Sequence, residues 1–282
     1  MSQQRTKIPI CFDVLGTCFS FDSSTKALLS VFPNLNKDYA DSIISDWFHS
    51  AQRDFTYLSM NGDYKPIAQV LKSTLPRIYL MHNLVPIPSS TTSSAMTETT
   101  AVVDQKLLNP VFESLSKMIP RPSLKTCIQT LHDSSNVRFK FLAVTNGGLE
   151  STKNYFYQAF NDNDNNQEEA RELVDQVFKW SFLSCDELKI AKPDRKIYEN
   201  VWNKLKEEED QEGLIIDKDK REGWFVASHT WDLHAAKKSG FKTAFVTYEE
   251  HLILPELFGK PDLIGKDLEE IAKKIIEFEE SR

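Results

Sequence analysis

Four places along the sequence carry polar side chains that could do chemistry together. They are Asp13, the pair Thr145 and Asn146, Lys192, and Asp232, and each place comes after a predicted strand. In an open parallel sheet, ligands collect at the edge where the carboxyl ends of the strands lie. Taken alone, each residue is typical of a helix cap or a turn. Taken together, two carboxylates, a hydroxyl, an amide and an ammonium at one sheet edge predict a catalytic site.

Asp13 is the candidate nucleophile, because a carboxylate can attack carbon or phosphorus and form a covalent intermediate. Lys192 is its candidate partner, since a nearby ammonium favours the ionised carboxylate and offsets the desolvation that would raise its pKa. The hydroxyl of Thr17 would bond Asp13 and fix its rotamer, while Gly16 would permit a sharp bend. The structural alternative for Lys192 is an ordinary surface lysine before a proline.

The elements that must position these residues alternate between strand and helix. A buried strand is predicted at residues 8–12, where a short apolar run stops at Asp13. After residue 120, the hydrophobic patterns predict helices at residues 123–132, 150–160, 194–207 and 231–238 and strands at residues 139–144, 180–183, 224–227 and 243–246. This alternation predicts an α/β fold with five parallel strands and helices on both faces of the sheet.

The region between residues 25 and 119 has a different pattern. Its apolar residues recur at helical spacing without a convincing strand, which predicts a helical subdomain inserted after the first strand. We therefore expect a core domain formed by residues 1–24 and 120–282 and a cap subdomain at residues 25–119. Three polar segments are expected to form loops or helix ends, at residues 88–94, 161–167 and 207–220.

Four short motifs carry a family resemblance that spans nearly the whole chain. They are FDVLGT at 12–17, VTNG at 144–147, KPD at 192–194 and WD at 231–232. In this order they resemble the motifs of the haloacid dehalogenase (HAD) superfamily. The longer strings KPDRKIY at 192–198 and WDLHAA at 231–236 are similar to the L-2-haloacid dehalogenase branch.

The resemblance implies a Rossmann-like, HAD-like parallel sheet with an inserted α-helical cap. It implies Asp13 as nucleophile, with Lys192 and Asp232 as catalytic partners. We also expect a substrate-binding group. The resemblance makes Tyr198 an indirect partner in this group, and the alternative for both Trp231 and Tyr198 is packing of the helices on the sheet. The members of that group outside the cap are Leu15, Thr17, Thr145, Asn146, Tyr198, His229 and Trp231.

Two departures from the branch concern the substrate pocket. The cap arginine of the branch aligns with His49, and Arg53, one helical turn later, would take its place. The branch has Ser and Asn before its Trp-Asp pair, whereas this chain has ASHT at 227–230. His229 would stand in for the amide, act as a general base, or be structural, and the first interpretation is favoured.

Two positions favour a dehalogenase over a phosphatase. Phosphatases of the superfamily have Asp two residues after the nucleophile and an acid four residues before the last aspartate, and this chain has Leu15 and Ser228 there. Only Asp13 and Asp232 would then serve Mg²⁺, which prefers several oxygen ligands. We expect a cofactor-free hydrolase with no metal site, acting on a small 2-substituted carboxylic acid. A Mg²⁺-dependent small-molecule phosphatase and a non-catalytic binding protein of the same fold are the alternatives.

Composition and charge limit the binding partners and the cellular compartment that we expect for this protein. With a net charge of −7, the chain is not expected to have nucleic acid as its main partner. We expect a cytoplasmic protein without membrane contact, because the sequence has no signal-like start and no apolar run long enough to span a bilayer. Its four cysteines include no CxxC pair, which favours reduced structural thiols. The family resemblance adds a homodimer as an expectation.

Overall fold

A computed structural model describes residues 7–86, 103–161, 167–212 and 221–282. The chain forms two compact units. Unit 1 comprises Met1–Phe19 and Pro120–Arg282, and unit 2 comprises Ser20–Ile119. Unit 2 is therefore an insertion in the sequence of unit 1.

The described residues form the following regular elements. The strands are β1 (Lys7–Asp13), β2 (Phe19–Ser20), β3 (Ile119–Pro120), β4 (Arg138–Thr145), β5 (Ser181–Ser184), β6 (Trp224–Ala227), β7 (Lys242–Val246) and β8 (Leu263–Gly265). The helices are α1 (Asp22–Val31), α2 (Lys37–Met60), α3 (Ile67–Met81), α4 (Gln105–Glu113), α5 (Leu124–His132), α6 (Leu149–Ala159), α7 (Gln167–Glu172), α8 (Cys185–Leu188), α9 (Arg195–Glu212), α10 (Thr230–Lys238), α11 (Pro255–Phe258) and α12 (Leu268–Glu280). Single turns of 3-10 and π helix follow α4 and α7.

Unit 1 is built on a six-stranded sheet in the order β5-β4-β1-β6-β7-β8, in which every pairing is parallel. β1 lies between β4 and β6, and its residues from Ile10 to Phe12 are fully buried. Continuous burial of this kind is typical of a parallel strand with helices on both faces. The α/β Rossmann-like fold predicted from the sequence is confirmed, and Asp13 lies near the middle of the sheet's carboxyl edge.

The sheet has one strand more than the five that the sequence predicted. β8 pairs in parallel with β7 through Leu263, Ile264 and Gly265. It is short and lies at the edge of the sheet, where only Gly265 is buried. Three residues with mixed exposure do not produce a hydrophobic pattern that distinguishes a strand from a loop, and the prediction of five strands was wrong for this reason.

The described part of unit 2 is helical, as the spacing of its apolar residues predicts. Trp47 of α2 and Tyr79 of α3 are fully buried, and Trp47 Nε1 donates a hydrogen bond of 2.9 Å to the Leu71 carbonyl. The helical region begins at Asp22, three residues before the predicted start. The predicted loop at residues 88–94 lies outside the described residues.

The two acidic segments of unit 1 are partly described. α7 begins at Gln167, and residues 162–166 lie outside the described part. α9 continues to Glu212, so the first residues of the segment 207–220 are helical, and residues 213–220 again lie outside. No helix among the described residues is long and apolar enough to cross a membrane.

Candidate active site

Asp13, the last residue of β1, is a buried carboxylate that accepts hydrogen bonds from two side chains. Its Oδ1 accepts from Lys192 Nζ at 2.6 Å, and its Oδ2 accepts from Thr17 Oγ1 at 2.7 Å. Burial alone would raise the pKa of Asp13, but Lys192 and the nearby His229 hold that pKa well below its usual range. The side chain is therefore an anion over the whole physiological pH range.

The ammonium of Lys192 lies between two buried carboxylates. Its Nζ is 2.6 Å from Asp13 Oδ1, 2.7 Å from Asp232 Oδ2 and 3.1 Å from the Val144 carbonyl oxygen. These acceptors match the three N–H groups of an ammonium. Burial disfavours the charge, yet Asp13 and Asp232 raise the pKa of Lys192 above its ordinary value. Lys192 thus supplies a fixed positive charge beside Asp13.

Asp232 is the second carboxylate that contacts Lys192. It lies in the first turn of α10, where Oδ2 accepts from Lys192 and Oδ1 accepts from the Tyr198 hydroxyl. Burial, together with the charge of Asp13, raises the pKa of Asp232 despite the opposing effect of Lys192. Burial and the charge of Asp232 raise the pKa of Tyr198 well above its ordinary value, so its hydroxyl remains a donor. Both oxygens of Asp232 are therefore engaged in orienting neighbours.

The loop after Asp13 connects the end of β1 to the end of β6. Thr17 Oγ1 donates to Asp13 Oδ2 and accepts from the Ser228 backbone N–H at 2.9 Å. Gly16 has a φ of +85°, and a Cβ at this position would lie 3.1 Å from the His229 ring. Both the backbone conformation and the close ring favour glycine at residue 16.

The loop after β4 positions the backbone of Lys192. Asn146 Oδ1 accepts from the Lys192 N–H at 3.0 Å and from Cys185 Sγ at 3.2 Å. Thr145 Oγ1 accepts from the Gly147 N–H at 2.9 Å and so closes the turn. In the described part of the chain, the amide nitrogen of Asn146 makes no hydrogen bond. That nitrogen is a hydrogen-bond donor at the carboxyl edge of the sheet.

His229 is buried next to Asp13. Its Nδ1 is 3.6 Å from Asp13 Oδ2, and its ring centroid is 5.6 Å from that of the half-buried Trp231. Burial lowers the pKa of His229, but Asp13 and the more distant Glu249 and Glu250 raise it above the ordinary value. The protonation of His229 therefore depends on the charge of Asp13.

Arg121 contributes to this site, although its position in the sequence does not indicate a role. Its Nη2 and Nε donate to the Gly16 carbonyl at 2.7 and 3.2 Å, and Nη2 also pairs with the Glu249 carboxylate. The guanidinium lies 4.5 Å from the ring centroid of Tyr248. The two flanking prolines, which restrict the backbone around Arg121, are the only local signal in the sequence.

The donor set around Asp13 is a poor match to a magnesium site. Leu15 and Ser228 are buried and provide no carboxylate, and the Ser228 hydroxyl has no hydrogen-bond partner among the described residues. The Nζ of Lys192 already lies between the Asp13 and Asp232 carboxylates. Within the described ranges, no three His, Cys, Asp or Glu side chains are grouped to hold a metal ion. Mg²⁺ prefers several oxygen ligands in octahedral geometry.

His49 and Arg53, the two cap candidates, both lie on α2 in unit 2. His49 is exposed, and its Nδ1 lies 3.3 Å from Ser45 Oγ. Arg53 is also exposed and pairs with Asp54 at 3.0 Å. That carboxylate also binds Arg77, so Arg53 shares its partner with a second guanidinium. A role of either residue at the substrate remains a prediction.

Comparisons with known proteins found relatives in structure but not in sequence. No protein-family model and no curated protein matches the chain. The L-2-haloacid dehalogenase from Xanthobacter autotrophicus superposes with a TM-score of 0.65 and 17% identity, over 95% of this chain and 98% of that chain. Its form with chloropropionic acid covalently bound gives a TM-score of 0.66 at 16% identity, with the same coverage. This chain has the fold of the L-2-haloacid dehalogenases.

The dehalogenase fold extends over both units, because these matches cover nearly all of the chain. A Bacillus subtilis protein named as a HAD-hydrolase, bound to magnesium, also matches, with a TM-score of 0.59, 13% identity, and coverage of 97% of this chain and 100% of that chain. The dehalogenase fold is therefore shared with a protein that binds this metal. The chemistry of this chain depends on its own residues at the sheet edge.

Proposed function

We propose that this protein is a metal-independent hydrolase that displaces a leaving group, such as halide, from carbon 2 of a small carboxylic acid. The observation that carries the proposal is the buried Asp13 carboxylate, kept ionised by Lys192 Nζ at 2.6 Å. An ionised carboxylate that is shielded from water is a competent nucleophile toward carbon. The covalently bound chloropropionic acid in a structural neighbour supports the same substrate class for this chain.

In the first step, an oxygen of Asp13 attacks carbon 2 of the substrate. A carbon–oxygen bond forms, the carbon–halogen bond breaks, and the halide leaves with the bonding electron pair. The product of this step is an ester of Asp13, and its formation removes one negative charge from the site. We assign the amide nitrogen of Asn146 and the Thr145 hydroxyl as donors to the substrate carboxylate.

In the second step, water attacks the carbonyl carbon of the ester, and His229 takes the proton. While Asp13 is charged, it raises the pKa of His229, whereas burial lowers it. Ester formation removes the charge of Asp13, which lowers the pKa of His229 and favours release of its proton to solvent. The neutral imidazole then accepts a proton from water. The step restores the Asp13 carboxylate, forms the 2-hydroxy acid and completes the net release of one proton.

Asp232 and Lys192 act differently from each other in this scheme. Both oxygens of Asp232 are bonded, to Lys192 and Tyr198, which supports a positioning role. Lys192 contacts Asp13 directly. Its ammonium group lies between the carboxylates of Asp13 and Asp232, where a metal ion bridging them would have to bind. This arrangement supports a reaction without Mg²⁺.

The test is halide release from L- and D-2-chloropropionate in the presence of EDTA, with the 2-hydroxy acid measured in parallel. We expect equal amounts of halide and hydroxy acid, and no increase on adding Mg²⁺. Hydrolysis of p-nitrophenyl phosphate that requires Mg²⁺, without halide release, would instead support the phosphatase alternative. If neither substrate class is turned over but 2-chloropropionate raises the melting temperature, the protein is a binding protein of this fold.

His229→Asn is expected to slow ester hydrolysis by about 10²-fold or more, the usual contribution of a general base. The ester would then accumulate and be detected as a covalent adduct in the intact-protein mass spectrum. For the wild-type protein, kcat should rise with pH through the pKa of His229 in the ester form. That pKa lies below the pKa of His229 in the free protein, because the raising effect of the Asp13 charge is then absent.

His234→Asn is the matched control, since His234 lies on α10, the helix that directly follows His229, and its ring bonds the Phe258 carbonyl away from Asp13. This control should accumulate no adduct and should retain the pH profile of the wild-type protein. The role of His229 as base is contradicted if His229→Asn turns over at the wild-type rate without an adduct.

A further inference from the structure

A second cavity, of about 390 Å³, lies at the amino-terminal edge of the unit 1 sheet, opposite to Asp13. Lys7, at the start of β1, and Arg138, at the start of β4, both line it. Lys179, two residues before β5, lines it as well. The volume falls within the range of small-molecule sites. The proposed hydrolase reaction makes no use of this cavity.

The cavity concentrates positive charge. Lys7 and Arg138 are direct partners in the register of β1 and β4, and Lys140, two residues later, extends from the same face of the sheet. Lys140 is 2% exposed, and its Nζ donates to the Lys179 carbonyl at 3.2 Å, so the ammonium is held at the cavity wall. No acidic side chain is among the described residues that line the cavity. This distribution contrasts with the net charge of −7 for the chain.

Two of these cations are available to a ligand. Arg138 and Lys179 are exposed, and neither forms an ion pair within the described residues. Like charges that share a cavity repel each other, and a bound anion relieves that repulsion. An Arg also matches the geometry of a phosphate oxygen pair. Several cations around one space therefore favour a ligand with more than one negative group.

Aromatic rings line the same cavity. The ring centroids of His132 and Phe178 are 5.1 Å apart, and those of Phe141 and Phe178 are 6.3 Å apart. His132 is exposed, so its ring offers a face to a planar group, whereas Phe178 and Phe141 are buried and pack the cavity wall. We propose that this cavity binds a nucleoside diphosphate, whose two phosphates contact the cations and whose base contacts the His132 ring.

The test is isothermal titration calorimetry of the full chain with ADP, without metal, at low and moderate salt. We expect saturable binding to one site, weakened by salt. Arg138→Ala and Lys179→Ala should each weaken binding about tenfold, the effect of losing one charge-assisted contact. Pyrophosphate alone should bind to the same site more weakly than ADP, because it lacks the planar group.

Lys196→Ala is the matched control, because Lys196 is an exposed lysine of α9 outside the cavity lining, and it should bind ADP like the wild type. Both test residues are exposed, so their variants should keep the wild-type melting temperature without ligand. The proposal is overturned if ADP and pyrophosphate give no saturable heat, or if Arg138→Ala and Lys179→Ala bind ADP as tightly as Lys196→Ala does. These outcomes do not depend on whether the protein releases halide.

Discussion

Asp13→Asn is expected to reduce halide release by roughly four orders of magnitude or more, the scale of losses seen when a covalent nucleophile is removed. The amide carries no charge and forms no ester with the substrate, so both steps of the proposed reaction are lost. The measurement is halide release at neutral pH in EDTA, with mass spectrometry of the intact protein after incubation with substrate. Neither turnover nor an adduct should be detected.

Asp175→Asn serves as the matched control, because Asp175 is an exposed carboxylate that accepts a hydrogen bond from Tyr157. It should release halide at the wild-type rate. If Asp13→Asn retains activity near that of the control, another group performs the displacement and the proposed function is wrong. A folded variant is recognised by an unchanged circular dichroism spectrum.

The low pKa of Asp13 also predicts how this variant affects stability. In the wild type, the ionised carboxylate contributes stability at pH values above its unfolded pKa of about 3.9. That contribution is lost as the pH falls toward the folded-state pKa. The difference in free energy of unfolding between wild type and Asp13→Asn should therefore be largest at neutral pH and shrink in acid. Urea denaturation at several pH values measures it.

Lys192→Met is the second substitution with a large expected effect, because it leaves two buried carboxylates without their shared cation. Removing one partner of a buried ion pair typically costs about 3–5 kcal/mol of stability. Without the ammonium, burial and Asp232 raise the pKa of Asp13, so the nucleophile becomes partly protonated. We expect halide release to fall about 10³-fold or more at neutral pH, and to recover partly as the pH rises.

The double variant Lys192→Met/Asp232→Asn separates the two effects. Removing the second charge should restore part of the lost stability, as measured by urea denaturation, because one buried carboxylate then remains instead of two. It should restore only a small part of halide release, since Asp232 no longer raises the pKa of Asp13 but burial still does and the cation is still absent. Lys196→Met, on the surface of α9, controls for the loss of a lysine. Full activity in Lys192→Met would contradict the assigned role of Lys192.

The meeting of Asp13, Lys192 and Asp232 could be predicted from the sequence because topology does most of the positioning. Each residue follows a strand of one parallel sheet, and parallel strands place their carboxyl ends on one edge. The strands can be recognised because apolar runs such as residues 9–12 are buried on both faces of the sheet. The sequence pattern predicts that these residues meet, but only the structure gives the distances from Lys192 Nζ, which are 2.6 Å to Asp13 Oδ1 and 2.7 Å to Asp232 Oδ2.

Contacts with backbone groups could not be predicted in the same way. Arg121 binds the Gly16 carbonyl across 105 positions, and Glu250 accepts from the Thr230 N–H and hydroxyl at the start of α10. Almost every residue has both a backbone carbonyl and an N–H, so the residue types along the sequence do not show which of these groups form such a contact. Only the fold determines which of them an arginine or glutamate reaches. The cavity at the amino-terminal edge of the sheet could not be predicted for a related reason, since its lysines and arginine are far apart along the chain.

The contact between Arg121 and Gly16 has a consequence for exchanging parts between proteins of this fold. Arg121 is the second residue of unit 1 after the insertion ends, and it bonds the loop that follows the nucleophile. A chimera that replaces the insertion should therefore be joined so that Arg121 and its flanking prolines stay with the recipient. A junction placed a few residues later would replace the guanidinium and leave the Gly16 carbonyl and the Glu249 carboxylate without their shared cation. Boundaries chosen by strand ends alone would overlook this requirement.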